Sequence, residues 1–315
     1  MLVYITQRLL QGVLVLFLIS VFTFFLVNLA PGGPSSLIDF QSTGAQREAR
    51  IKQYGLDKPV HTRYLSWLGS ALRGDLGTSI NQGLPVASLL SQRFLKTLQL
   101  AAAALLLATV FGIILGVLAA LNRNGFIDQI VSVVTTLGMS IPNFWLGIIV
   151  ILFFSVQMRL LPASGSYTIG AEFSLADRLR HLILPASVLA FSLMPNIVRV
   201  TRSALLEVKA SDYVRTARAK GLVERAVLWK HTFKNALVPV IAMLGLITTV
   251  LFSGSVVIES VFGWAGLGRL AIEAANGRDY PVILGVTMLV GSIVVLVNIT
   301  VDLLYALVDP RLRHG

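Results

Sequence analysis

The side chains best suited to metal binding or proton transfer near neutral pH are four histidines, His61, His181, His231 and His314. They are scattered, with no His-Glu-x-x-His spacing to place two rings on one helix face, so no metal site is expected. Cysteine is absent, which removes disulfides, thiolate nucleophiles and cysteine-ligated metals. No Gly-x-x-x-x-Gly-Lys-[Ser/Thr] loop is present to cradle nucleotide phosphates in the Walker manner. No Gly-x-Ser-x-Gly elbow offers a serine nucleophile, and no apposed pair of intramembrane carboxylates supports proteolysis. No catalytic residue is therefore assigned.

The segment most suggestive of function is short and basic: Ala210-Ser211-Asp212-Tyr213-Val214-Arg215-Thr216-Ala217-Arg218-Ala219-Lys220-Gly221-Leu222. Ser211 or Asp212 can cap a helix, and Gly221 supplies a left-handed stop. Between them stand good helix formers with small residues that permit close approach. The helix is too polar to cross a bilayer and too short to be stable alone. It can lie on anionic lipid, or in a groove of a soluble partner with Tyr213, Thr216 and Ala217 pressed in and the basic residues at the rim. The residues alone leave both open.

Polar groups inside apolar surroundings are the other candidates. Pro142-Asn143 and Pro195-Asn196 each pair a helix breaker with an amide, and Ser140 precedes the first pair. Such pairs either expose polar groups to a wet pathway or join neighbouring helices. Asn298 stands one turn before Asp302, the lone carboxylate expected in the apolar runs. A proton relay needs more than one such group, so the energy for any transport must come from elsewhere. Gly112 and Gly116 form a Gly-x-x-x-Gly packing motif.

The elements that position these residues are apolar runs. The 315 residues are 55% hydrophobic and only 13% charged, about half the share a soluble surface requires. The runs lie at 9–30, 97–121, 133–156, 182–198, 236–258 and 281–308. Each is near the roughly 20 residues that cross hydrocarbon as a helix. The expected fold is thus an all-α polytopic membrane protein with about six transmembrane helices. The first run is too long for a signal core and is followed by Pro31, so an uncleaved anchor is expected.

The net charge of +11 sits in the connections, where it orients the spans. Basic and aromatic residues do not interleave as a nucleic-acid platform requires, so nucleic acid is excluded as a partner. Arg8, Arg123, Arg311, Arg313 and the basic 199–235 connection are expected inside, which puts both termini in the cytoplasm. The connections 157–181 and 259–280 are expected outside, with Glu172, Asp177, Glu259, Glu273 and Asp279. The long 31–96 loop is expected to carry short helices, one over 46–52 ended by Gly55 and one around Tyr64-Leu65-Ser66-Trp67-Leu68. Loops of that length are usually functional.

The 212–221 string resembles the cytoplasmic EAA loop of binding-protein-dependent ABC importer permeases, specifically the dipeptide/oligopeptide/nickel permease family, first-subunit type. The likeness runs nearly end to end. It includes Arg8-Leu9-Leu10, Leu29-Ala30-Pro31-Gly32-Gly33-Pro34, Tyr54-Gly55-Leu56-Asp57-Lys58-Pro59 and Leu72-Arg73-Gly74-Asp75-Leu76-Gly77-Thr78-Ser79. It continues through Glu259-Ser260-Val261-Phe262-Gly263-Trp264-Ala265-Gly266-Leu267-Gly268, Arg278-Asp279-Tyr280-Pro281 and Val301-Asp302-Leu303-Leu304-Tyr305-Ala306-Leu307-Val308-Asp309-Pro310-Arg311. Two features depart from the general pattern: Arg215 replaces its leading glutamate, and the first proline after Gly221 is Pro239.

The resemblance implies a type I ABC importer permease fold in a bacterial inner membrane. It divides the chain into an anchor helix at 1–30, an external loop at 31–92 and a transmembrane domain at 93–311 with a coupling helix at 211–222. Tyr213, Arg215, Thr216, Ala217, Arg218, Ala219, Lys220 and Gly221 would meet the ATPases. Ser140, Pro142, Asn143, Pro195, Asn196 and Asn298 are candidates for the path. Implied partners are a second, similar permease, two ATP-binding subunits that hold the ATP and magnesium, an external solute-binding protein and membrane lipid. Peptides are the implied substrate class, with nickel chelates, glutathione-like peptides or sugars as variants. An ion-coupled carrier and a membrane scaffold without ATPases are the alternatives.

Overall fold

The computed structural model describes residues 2–29, 57–223 and 226–308. The short helix expected over 46–52 lies outside the described residues, as do Gly55 and the closing Asp309-Pro310-Arg311. The regular structure among the described residues is helical, with one isolated antiparallel bridge between Thr78 and Pro85. The helices are α1 (Leu2–Leu29), α2 (Val60–Ala71), α3 (Val86–Leu121), α4 (Phe126–Ser140), α5 (Asn143–Val150), α6 (Leu175–Ala210), α7 (Asp212–Ala219), α8 (Lys234–Val261), α9 (Leu267–Asn276) and α10 (Tyr280–Val308). Wider π turns, Ile151–Gln157 and Val227–Phe233, extend α5 and lead into α8. Among the described residues five helices are long and apolar enough to cross a membrane, and α4 with the α5 segment makes a sixth span if the bent pair counts as one.

Several helices outrun the apolar stretches that announce them. The run at 97–121 belongs to α3, whose 36 residues extend about 54 Å and so exceed a hydrocarbon core of about 30 Å. The run at 182–198 is the middle of α6, also 36 residues, with Pro185 and Pro195 inside it. The run at 133–156 is not one straight span. Ile141 precedes Pro142 and is forced into an extended conformation (φ −82°, ψ 123°), which ends α4 at Ser140. The chain then restarts at a bend of 104°.

The chain forms two compact units, Met1–Lys96 with Ala265–Ile299, and Thr97–Trp264 with Thr300–Gly315. In the first, Val86, Leu89 and Leu90 pack with Leu267, Leu270, Ala274, Val282 and Val286. A second cluster joins Phe24 of α1, Tyr64 of α2 and Leu284 of α10. Phe24 and Tyr64 meet edge to face at 5.3 Å, and the Tyr64 hydroxyl lies 2.9 Å from Ser20 Oγ. The Arg63 guanidinium donates to Asn28 Oδ1, and burial holds its pKa below the ordinary arginine value. The expected surface piece around Tyr64 is thus α2, with one side seated on α1.

Asp279 closes the same unit. It is 2% exposed and accepts hydrogen bonds from Ser79 Oγ, from Ile80 N at 3.1 Å and from Asn81 N at 3.2 Å. Asn81 Nδ2 returns a bond to Gly277 O at 3.0 Å. One carboxylate therefore clasps the 79–81 turn to the start of α10.

In the second unit α6 is the hub, packed against α4, α5 and α8. Its buried face includes Leu184, Val188, Leu189, Leu193, Ile197 and Val198, a helical repeat of apolar residues facing the core. Gly112 and Gly116 of α3 sit against this face. A Cβ at Gly112 would lie 2.7 Å from Ile197 Cβ, and one at Gly116 would lie 2.6 Å from Thr201 Cβ and 2.9 Å from Val198 O. Only glycine allows that approach, which is the packing the Gly-x-x-x-Gly spacing predicts.

Candidate functional site

Helix α7 follows α6 after a single residue, Ser211, whose extended backbone (φ −70°, ψ 151°) turns the chain. Ser211 stands at the N-cap position, but its hydroxyl donates to Val208 O at 2.6 Å instead of capping α7. Lys220 N donates to Thr216 O at 3.0 Å and Gly221 N to Arg218 O at 2.9 Å. Gly221 then takes a φ of +78°, the left-handed stop its position predicts.

The helix has two distinct faces. Val214 is fully buried and Ala217 nearly so, packed with Val227 and the partly buried Val208. Ala217 is therefore turned into this chain, not toward the partner groove expected from the sequence, because it shares a helix face with Val214 three residues away. Tyr213, Arg215, Thr216, Arg218, Ala219 and Lys220 are exposed. Asn235 Nδ2 donates to Tyr213 OH at 3.1 Å, tying α7 to the start of α8. The Arg215–Asp212 pair, 3.6 Å apart, is almost fully exposed, so it adds little stability. The result is a short helix anchored by one apolar face and presenting a cationic one. Such an element can receive a partner and pass its movement to α6 and α8. Among the described residues no group of three or more His, Asp or Glu side chains is placed to hold a metal.

The candidate path residues fall in different places. Ser140 and Pro142 are exposed and Asn143 half-buried, all at the α4–α5 bend. Pro195 is buried and Asn196 half-buried in the middle of α6. Gly138 joins these groups: a Cβ there would lie 2.8 Å from Phe191 O and 2.9 Å from Pro195 Cγ. Asn298 is exposed on α10 and belongs to the other compact unit.

Two polar pairs built on buried carboxylates were not anticipated from the apolar runs, in which Asp302 was expected to be the lone carboxylate. Asp128, in the first turn of α4, is 5% exposed and takes a two-pronged contact from Arg202 of α6: Nε to Oδ1 at 2.8 Å and Nη2 to Oδ2 at 2.7 Å. Asn124 N adds a third bond to Asp128 Oδ2 at 2.9 Å. Glu259, expected at the start of an external loop, is instead fully buried within α8 and accepts from Thr97 Oγ1 at 2.7 Å. His181, placed at the end of another such loop, is buried inside α6. The available signal was continuity. Val256-Val257-Ile258 runs into Glu259 with no breaker, so nothing in the sequence stops the helix before it.

Comparison with known proteins gives a consistent set of likenesses. Residues 112–314 match the family model described as binding-protein-dependent transport system inner membrane component, and residues 1–101 match the N-terminal model of the same systems. The oligopeptide transport system permease protein AppB of Bacillus subtilis is 43% identical over 313 residues, covering 99% of both chains. The glutathione transport system permease protein GsiC of Salmonella choleraesuis is 38% identical over 315 residues and covers all of both. Among solved structures, a chain of the methionine ABC transporter MetNI in inward-facing conformations aligns with a TM-score of 0.57 at 21% identity. That match covers 70% of this chain and 96% of the other, and it shows a shared fold.

Proposed function

This chain belongs to the family of binding-protein-dependent transport system inner membrane components, and from that premise we propose that it is one half of an ATP-driven import path whose movements enter through α7. The chain is a multi-span permease component with the helical fold of type I ABC importer permeases. In the proposed assembly a second, similar permease completes the path. Two ATP-binding subunits carry the ATP and magnesium, and an external binding protein delivers the solute. Both termini lie on the cytoplasmic side with α7, which faces the ATP-binding subunits, in keeping with the basic residues of the 199–235 connection. The solute is a peptide, a reading supported by full-length relatives named for oligopeptide and glutathione transport.

The observation that carries the coupling role is the two-faced construction of α7. Val214 and Ala217 anchor it to this chain, while Tyr213, Arg215, Thr216, Arg218, Ala219 and Lys220 remain outward. Arg215 lacks the acid of the general motif, so the contact it makes is with acceptor groups of the partner and not with its basic ones.

The chain has no cysteine, which permits a direct test. Ala219→Cys is combined with single cysteines in the groove of the candidate ATP-binding subunits, and cross-linking is followed with and without ATP in the assembled complex. A nucleotide-sensitive cross-link is expected. Its absence from a folded, inserted complex would remove α7 as the docking element and favour a carrier or scaffold working without ATPases.

A further inference from the structure

We propose that Asp128 and Arg202 are a positioning pair that carries the displacement of α7 into the bent α4–α5 pair. The inference rests on the coupling role of α7 given above. Asp128 is only 5% exposed, and a buried carboxylate is costly to keep unless it is paired, so its partners deserve naming. Here the partners are explicit. The Arg202 guanidinium grips both Asp128 oxygens, at 2.8 and 2.7 Å, and Asn124 N holds Oδ2 at 2.9 Å. Asn124 itself sits at φ +63°, so the α3–α4 turn is shaped to aim its N–H at this carboxylate.

The contact geometry fits transmission better than mere adhesion. A planar fork on a carboxylate fixes direction as well as distance, whereas an apolar contact lets two helices slide or roll. An ion pair like this one, with its carboxylate buried and its guanidinium half-buried, is also poor evidence of added stability, since apolar residues of similar volume often replace such pairs without loss. What such a pair offers is register. Arg202 lies on the same unbroken helix as Ala210, and only Ser211 separates α6 from α7. At the other end of α4, Gly138 rests against Phe191 and Pro195 of α6. Helix α4 is thus held to α6 at both ends, one by charge and one by close approach. Two residues beyond Gly138 it ends, and the chain turns by 104° into α5. Movement of α7 shifts the end of α6, the fork obliges α4 to follow, and the bend at Pro142 changes its angle.

The test uses the complete transporter in proteoliposomes, with a labelled tripeptide as the probe. The variants are Asp128→Asn, Arg202→Lys and the paired replacement Asp128→Leu with Arg202→Met. Spin labels on single cysteines at Ile127 and Ser203, both exposed, report the α4–α6 separation with and without ATP. In the unmodified chain the separation is expected to stay fixed through the nucleotide cycle. In Asp128→Asn it is expected to become nucleotide-dependent, and uptake per ATP hydrolysed is expected to fall by about fivefold to tenfold while hydrolysis persists. The apolar pair separates the two roles. It is expected to keep thermal stability near that of the unmodified chain and still to lose coupling. Normal coupling in the apolar pair, or a label distance that stays fixed in Asp128→Asn, would overturn the proposal. Failure of the unmodified complex to take up any peptide while hydrolysing ATP would instead strike the functional reading above.

Discussion

Replacing Gly116 with alanine adds a single methyl group where α3 touches α6. That methyl would stand 2.6 Å from Thr201 Cβ, 2.9 Å from Thr201 Cγ2 and 2.9 Å from the carbonyl oxygen of Val198. The last contact decides the outcome, because a backbone oxygen cannot swing aside as a side chain can. The helices must part, and overpacking of this kind costs about 1–3 kcal/mol. Alanine recovers up to about 1 kcal/mol through its higher helix propensity. With backbone involved the upper part of the range applies, leaving a net loss of about 2 kcal/mol. Gly69 of α2 provides the matched control, since nothing lies within 4 Å of a Cβ placed there. Gly69→Ala should be neutral or stabilising by up to about 1 kcal/mol. Thermal unfolding of the two variants in the same detergent, followed by the loss of the monodisperse species, compares them directly. Equal unfolding temperatures for Gly116→Ala and Gly69→Ala would refute the argument that backbone approach governs this contact.

Gly221→Val should impair uptake without affecting insertion. Its Cβ would meet nothing within 4 Å, so the effect comes from holding a side chain at φ +78°, a cost of about 1–2 kcal/mol. Uptake per ATP hydrolysed reads the change, and unaltered uptake would remove Gly221 from the coupling element. Asp279→Ala should release the 79–81 turn by stripping the acceptor from Ser79 Oγ and two backbone N–H groups. Each donor left buried costs about 1–3 kcal/mol. New protease sensitivity between Gly77 and Val86 is the expected sign, and full resistance would argue against a clasp.

What the sequence discloses follows from how local each cause is. The apolar runs locate the spans because burial in hydrocarbon acts on every residue of a run. Gly221 and the start of α7 are equally local, set by a glycine and an extended serine within one turn. Helix ends were less legible. The sequence reading stops a span at the first charged residues, whereas α6 continues past Arg199 and Arg202 and α8 includes Glu259, since their partners lie on other helices. The pairing of Asp128 with Arg202 spans 74 positions, and that of Thr97 with Glu259 spans 162. No periodicity in one helix encodes a contact made by another. Pro142 marked a break, but not its angle, which depends on α5 packing against α6 and α8. The inward side of Ala217 was readable from its spacing to Val214, and the attraction of a small residue at a partner surface obscured it.

The clasp around Asp279 has a consequence for biosynthesis. Ser79 and Asp279 are 200 positions apart, and the second compact unit's main stretch, Thr97–Trp264, lies between them. At ribosomal speeds of about 5–20 residues per second, the turn at 79–81 emerges about 10–40 s before its carboxylate does. Through that interval its amides must find water or a helper protein. The unit containing both chain segments is consequently sealed late, although its first residues are the earliest made. A ribosome that stalls before codon 279 would leave a nascent protein with its opening segment still unlatched, a ready cue for quality-control proteases.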